Sequence, residues 1–165
     1  MKGNIMTTTP TTFAADLQAA RPGAVLALAP GNYGALSLSG KSGLTLKSDP
    51  ANPARFSTIA LSKCTNMVLD GLAVSRPPQA GDSDKTVRTV LLKSCDGITV
   101  TGCDIATQKA TSGPYAGFGN GSVVYVDQSK HIAIRGNHIT GGHDGVMLQY
   151  ADTVLVEAND IHDMR

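Results

Sequence analysis

Charge is scarce in this chain, at 16% of 165 residues, against roughly a quarter in an average soluble domain. The net charge is +1, with no basic run and no interleaving of basic and aromatic residues, so the pattern of a nucleic-acid surface is missing. Aromatic residues make up 4% and tryptophan is absent, so a core must be filled by Val, Ile, Leu and Ala. No apolar stretch approaches the roughly 18 residues of a membrane span, and no membrane partner is expected. The first ten residues carry one lysine and no apolar segment, unlike a secretory leader. Three cysteines are an odd number, which argues against a disulfide framework. What remains is 41% hydrophobic and rich in glycine, with 18 residues, so the chain buries a core and turns often.

The apolar residues recur in a repeat. Four stretches align without gaps: Ile59–Leu72, Val90–Cys103, Val124–Asn137 and Val146–Asn159. Each opens on an apolar pair, Ile59/Leu61, Val90/Leu92, Val124/Val126 and Val146/Leu148. A small residue follows at the sixth position: Cys64, Cys95, Ser129 and Ala151. A second apolar pair comes next, Met67/Leu69, Ile98/Val100, Ile132/Ile134 and Val154/Val156, and each run ends on Gly71, Gly102, Gly136 or Ala158. A third apolar site follows three residues later, at Val74, Ile105, Ile139 and Ile161. A looser earlier copy holds Leu36/Leu38 and Leu44/Leu46.

Starts of successive copies lie 23, 31, 34 and 22 residues apart, so a unit of 22 or 23 residues carries two insertions, Arg76–Arg88 and Thr107–Gly121. Both enter between the third apolar site and the next first run, and both are rich in loop-forming Gly, Pro, Ser and Thr. Alternation of apolar and polar residues is the period of a strand buried on one face. Three short strands per unit, with units stacked in parallel about 4.8 Å apart, make an all-β single-stranded right-handed parallel β-helix of about five to six coils. A leucine-rich repeat is the rival, since Ile98, Val100, Cys103 and Ile105 fit part of its pattern. Its preceding leucine is replaced here by Cys64, Cys95, Ser129 or Ala151, and each copy has an additional alternating run upstream.

The expected organisation is a disordered tail over 1–11, a cap helix over 12–23 and a β-helix over 24–165, incomplete at its C-terminal end. Phe13, Leu17 and Ala20 share one helical face, Thr12 is a candidate N-cap, and Arg21-Pro22-Gly23 stops the helix. With no closing element after Ile161, the last coil is expected to self-associate or to belong to a longer helix.

The segment from Phe13 to Tyr33, with its Arg-Pro-Gly-Ala-Val-Leu and Ala-Pro-Gly-Asn-Tyr turns, resembles the opening of pectate-lyase-like right-handed β-helix proteins. In particular it is similar to the alginate and chondroitin lyases of that superfamily. Gly136-Asn137-His138-Ile139 and Ala158-Asn159-Asp160-Ile161 resemble the asparagine turn of the family, whose amides stack as an asparagine ladder. The resemblance covers Phe13 to Arg165 and is specific for fold. It implies a polysaccharide ligand and an extracellular or virion-associated setting, either as a lyase or epimerase of a uronate-containing polymer or as a non-enzymatic binding solenoid of a tailspike or adhesin. The family also includes hydrolases, and this chain has no match to its lysine-plus-arginine catalytic motif.

The resemblance places a cleft along the first strand of each coil, beside the insertions. Outward residues there are Ala60, Leu91, Tyr125 and Met147, and Ser62, Lys93, Asp127 and Gln149. Lys93, His143 and Tyr125 are the candidate catalytic residues, a lysine base beside a uronate carboxylate being suited to proton abstraction. Asp127, Asp144, Gln149 and Arg88 are the candidate substrate-binding residues. Lys93 and Asp127 are expected within ion-pair reach; a solvated pair worth under about 1 kcal/mol is the plainer reading. The glycines of Gly141-Gly142-His143-Asp144-Gly145 would admit a ligand to the backbone, or simply form a polar turn. No metal site is specified; calcium on Asp127, Asp144 and loop carbonyls lacks a repeated Gly-Asp spacing. Asp104, His138 and Asp160 form a second line, able to hold a cation or merely exposed. Cys64 and Cys95 are expected as adjacent, unbridged core fillers, and Cys103 at an asparagine-turn position is expected to lose that turn's side-chain bond.

Overall fold

Period-two alternation becomes strands throughout. A computed structural model describes residues 4–114 and 116–165. The strands are β1 (Ile5–Thr8), β2 (Val25–Leu28), β3 (Gly31–Ser39), β4 (Thr45–Lys47), β5 (Ala54–Ser62), β6 (Thr65–Asp70), β7 (Ala73–Arg76) and β8 (Arg88–Lys93). They continue with β9 (Asp96–Thr101), β10 (Asp104–Thr107), β11 (Ser122–Asp127), β12 (Lys130–Arg135), β13 (His138–Thr140), β14 (Asp144–Gln149), β15 (Asp152–Glu157) and β16 (Asp160–His162). One helix, α1 (Phe13–Ala19), precedes β2.

The fold is all-β and its ladders are parallel. One sheet runs β1-β2-β4-β6-β9-β12-β15; the other runs β14-β11-β8-β5-β7-β10-β13-β16, with β3 beside β5. The long strand β5 belongs to two branches: Arg55 and Phe56 pair with Ala73 and Val74 of β7, whereas Ile59–Ser62 pair with Val90–Lys93 of β8. The second sheet therefore bends through β5 until it is nearly barrel-shaped. Parallel neighbours cannot be joined by a tight turn. Each repeat accordingly visits one branch, crosses to the first sheet and returns to the other branch before its next copy begins.

Register follows the aligned repeat. Ile59 lies opposite Val90, Val90 opposite Val124, and Val124 opposite Val146. Met67 lies opposite Ile98, and Ile132 opposite Val154. Leu69, Val100 and Ile134 continue the second set inward, and all three are buried. Sequence sites 22 to 34 residues apart thus become neighbours, and the core is a column of aliphatic side chains from Leu26 to Ile139.

Three corners in every copy require left-handed backbone. The fifth position holds Lys63, Ser94, Gln128 and Tyr150, the eighth Asn66, Gly97, His131 and Thr153, and the thirteenth Gly71, Gly102, Gly136 and Ala158, all with φ between 49° and 73°. A β-carbon is disfavoured there; glycine relieves that strain at the thirteenth position in three copies, whereas Ala158 and the side chains at the other two corners bear it.

Small residues at the sixth position do more than fill space. The thiols of Cys64 and Cys95 and the hydroxyl of Ser129 donate to the carbonyls of Leu38, Leu61 and Leu92, each in the preceding copy, at 3.7, 3.4 and 3.3 Å. The asparagine corner repeats this logic. Asn137 Nδ2 donates to Val100 O at 3.0 Å and Asn159 Nδ2 to Ile134 O at 2.8 Å, and the Asn137 amide also donates to Asn159 Oδ1 at 2.9 Å. Cys103 does not lose the corner bond as expected: its thiol reaches Leu69 O at 3.6 Å, a weak donor in the same position, while its N–H donates to Asn137 Oδ1 at 2.9 Å. Asn137 is buried but Asn159 only half-buried, because no further copy covers it among the described residues. All three cysteines are free and buried, as expected for Cys64 and Cys95.

The N-terminal expectation needs correction. Residues 5–8 are not a disordered tail; Ile5–Thr8 form β1 and pair with Val25–Leu28. The unpaired edge of β2 captures them, and Tyr33 Oη locks the joint by donating to Thr8 O and Ala29 O at 3.0 and 2.8 Å. The helix is shorter than its expected span, Phe13–Ala19, and Thr12 makes no side-chain cap to its backbone, its hydroxyl donating instead to Asp16 Oδ2 at 2.7 Å. Phe13 and Leu17 are its buried face, and Phe13 packs edge-on against Tyr33 and Phe56 at 5.1 and 5.9 Å between ring centres. Three of the seven Phe and Tyr residues, Phe13, Tyr33 and Phe56, thus pack together at this end.

Candidate functional site

The outward face of β8, β11 and β14 gathers most of the candidates. Parallel register sets Arg88, Ser122 and Asp144 in one row, Leu91, Tyr125 and Met147 in a second, and Lys93, Asp127 and Gln149 in a third. Their inward neighbours Val90, Leu92, Val124 and Val126 are buried, and this fixes the second and third rows on the outer face; the first row stands at the strand starts, where alternation gives way, and its Ser122 is buried.

Arg88 is the centre of the contacts. Its guanidinium carbon sits 4.1 Å above the centre of the Tyr125 ring, a cation–π pair. The same guanidinium donates to the carbonyls of Asp84 and Val87 at 3.0 and 2.6 Å, so the first insertion holds it over the sheet. The Tyr125 hydroxyl donates to Gln149 Oε1. Arg88, Tyr125 and Gln149 therefore form one connected platform across three strands.

Lys93 and Asp127 are directly opposite in register, yet no ion pair joins them among the described residues. The exposed lysine gains little by giving up its freedom to meet a half-buried carboxylate in water. His143 Nδ1 contacts Asp144 Oδ1 at 3.1 Å, and Ser122 Oγ donates to Asp144 Oδ2 at 3.4 Å. The candidate catalytic trio of Lys93, Tyr125 and His143 shares the face without mutual hydrogen bonds among the described residues. Asp144 is held by Ser122 and His143, five strand positions from the row of Asp127.

Both insertions border this face and are anchored to it. Arg76 forms a bidentate pair with Asp82, both bonds 2.7 Å, with side chains only 11% and 14% exposed. That hydrogen-bonded guanidinium holds the Asp82 carboxyl below its ordinary value, against the opposing effect of burial. Asp84 accepts from the Gly121 N–H at 3.1 Å and from Arg165 at 2.7 Å, and the backbone bond first, then Arg165, lowers its carboxyl too. Asp84 thus ties the first insertion to the end of the second. Asp82, Ser83, Asp84, Lys85, Asn120 and Arg165 line a cavity of about 230 Å³ between them. A larger hollow of about 520 Å³ lies beside β2 and β4, walled by Ala27, Leu28, Ala29 and Pro50 together with Thr7, Lys47, Ser48 and Asp49.

The glycines before β14 serve the chain itself. Gly141 lies against the Thr107 carbonyl and Gly119 against the carbonyls of Gly141 and Gly142, so β-carbons would collide with backbone. The expected ligand approach is therefore taken up by the second insertion. Sequence reasoning also missed Arg76, Asp82 and Asp84, which carry no repeat signal because they lie within or at the edge of an irregular insertion. Asp104, His138 and Asp160 do line up in register, on the outer face of β10, β13 and β16, away from the platform. No protein-family model and no curated protein matches this chain.

Proposed function

We propose that the two sheets are the walls of a right-handed parallel β-helix of the pectate-lyase-like kind, and that the outer face of β8, β11 and β14 binds an extended, uronate-containing polysaccharide. The observation that carries this reading is the Arg88–Tyr125–Gln149 platform, with Lys93 beside it and two anchored insertions at its border. A flat polar wall with one ring and two cations suits a polymer that offers hydroxyls and carboxylates along its length. Guanidinium and ammonium groups pair with carboxylates, and Gln149, whose Oε1 accepts from Tyr125, keeps its amide N–H groups for sugar hydroxyls. Parallel strands repeat the same row at each step, which matches a ligand that is itself repetitive. Such polymers lie outside cells, which sets the protein at a cell or virion surface.

Binding without turnover is the preferred form. Lys93, Tyr125 and His143 make no hydrogen bonds to one another, and Tyr125 and His143 are engaged with Gln149 and Asp144. A lyase or epimerase would need a base and an acid converging on one sugar carbon. Alginate, chondroitin and bacterial capsule oligomers, titrated calorimetrically, test the binding. Arg88→Ala and Lys93→Ala should each weaken it by about tenfold or more if they are interface anchors. Affinity unchanged in both variants refutes the face. Absorbance from new unsaturated uronates, lost in Lys93→Ala, would establish lyase chemistry instead.

A further inference from the structure

On the outer face of β13 and β16, a second cluster has no part in the platform. Inward-facing Ile139 lies opposite Ile161, so His138, Asp160 and His162 point outward. His138 lies opposite Asp160, and His162 lies opposite Thr140, one diagonal step away. The two imidazoles meet across that diagonal, with ring centres 4.9 Å apart and Nε2 atoms at 2.8 Å. Each ring is oriented from behind. His138 Nδ1 contacts Asp104 Oδ1 at 2.8 Å, and His162 Nδ1 contacts Asp163 Oδ2 at 3.0 Å. Asp160 Oδ2 lies 3.9 Å from His162 Nε2.

Carboxylates on both Nδ1 atoms make those nitrogens the N–H donors. In neutral rings both Nε2 atoms are then lone pairs facing each other at contact distance, a contact relieved by a proton on one ring or by a cation between the two. Two lone pairs repel unless a positive centre lies between them. A carboxylate behind an imidazole, with the other nitrogen turned outward, is the arrangement of a metal-ligating histidine. We propose that His138, His162 and Asp160 bind a divalent transition-metal ion, with Zn²⁺ the best-matched cation.

One ligand atom from each of the three residues falls within 4.8 Å of the others. Tetrahedral zinc with bonds near 2.0–2.1 Å wants its nitrogens about 3.3 Å apart, so the imidazoles must part by about half an ångström. Both side chains are 46% exposed, which leaves room for that rotation. Nitrogen donors select Zn²⁺, Ni²⁺ or Cu²⁺ over Ca²⁺ and Mg²⁺, which take oxygen. Three protein ligands leave one zinc position to water. Since His138 is on β13 and the other two ligands are on β16, the ion clips the last strand to its neighbour.

The test uses the intact chain, stripped with chelator and titrated with Zn²⁺ alone by calorimetry, with sedimentation run in parallel. The expected result is one Zn²⁺ per monomeric chain. His138→Asn and His162→Asn should each weaken binding by about 100-fold, and Asp104→Asn, which only orients His138, by about tenfold. His131→Asn and His143→Asn should bind as the parent does. Zn²⁺ should also raise the melting temperature of the parent and leave that of His162→Asn unchanged, a comparison that holds because the imidazole is exposed and its loss spares the fold. No binding, binding unaffected by His138→Asn and His162→Asn, half an ion per chain in zinc-linked dimers, or equal competition by Ca²⁺ would each overturn the proposal.

Discussion

Val100, Ile134, Ile105 and Ile139 in the middle copies are fully buried, whereas the equivalent Val156 and Ile161 of the last copy are each 41% exposed. The pattern of apolar residues is the same in both. A strand in the middle has a copy on each side, and the last has a copy on one side among the described residues. Burial in a stacked repeat is thus a property of neighbours, and an identical residue is worth different amounts at different levels.

Truncation is the strongest way to test that contrast. Val100→Ala should cost about 2–3 kcal/mol, as expected for a large-to-small change in a close-packed core, and the same change at Val156 under about 1 kcal/mol, both read from urea denaturation midpoints. Equal losses would break the comparison. The asparagine corner repeats it on a polar group. Asn137→Ala strands the buried Cys103 N–H and Val100 carbonyl and should cost about 2–3 kcal/mol, while Asn159→Ala should cost about 1 kcal/mol.

A third prediction contrasts the insertion with the core through pH. The Asp82 carboxyl is lowered in the folded state, chiefly by its hydrogen bonds to Arg76. Its contribution is therefore fully present above the ordinary carboxylate value of 3.8 and is lost as pH falls through the lower folded value. Asp82→Asn should be less stable than the parent at neutral pH, and the gap should narrow as pH falls below 3.8, measured by thermal melts across that range. A gap independent of pH would remove the ion pair as its cause. Thiol chemistry sharpens the same contrast. Burial pushes the Cys103 thiol up to about 11 and raises that of Cys95, so at pH 8 both should alkylate far more slowly in the native protein than in denaturant. The smallest effect concerns Ala158, held at φ 52° where earlier copies have glycine. Ala158→Gly should stabilise by roughly 0.5 kcal/mol, and Gly136→Ala should destabilise by about 1 kcal/mol.

The amino-acid pattern alone determined which residues face inward and which copies pair. Strand register has period two, so a slip of one residue would turn every apolar side chain of a copy outward, and only one alignment keeps all four copies buried. The two insertions and the row of Lys93, Asp127 and Gln149 were legible for the same reason. Tertiary structure decided what the pattern does not encode. Capture of Ile5–Thr8 by β2 depends on an open strand edge and on Tyr33, 25 residues from its partner Thr8. The Arg76–Asp82 and Asp84–Arg165 anchors join irregular segments that share no period. Whether Lys93 meets Asp127, and how His138 meets His162, turns on side-chain rotation at an exposed surface. There the backbone sets a reach of several ångströms, and hydrogen-bond partners choose the contact, Asp104 of another strand for His138 and the adjacent Asp163 for His162.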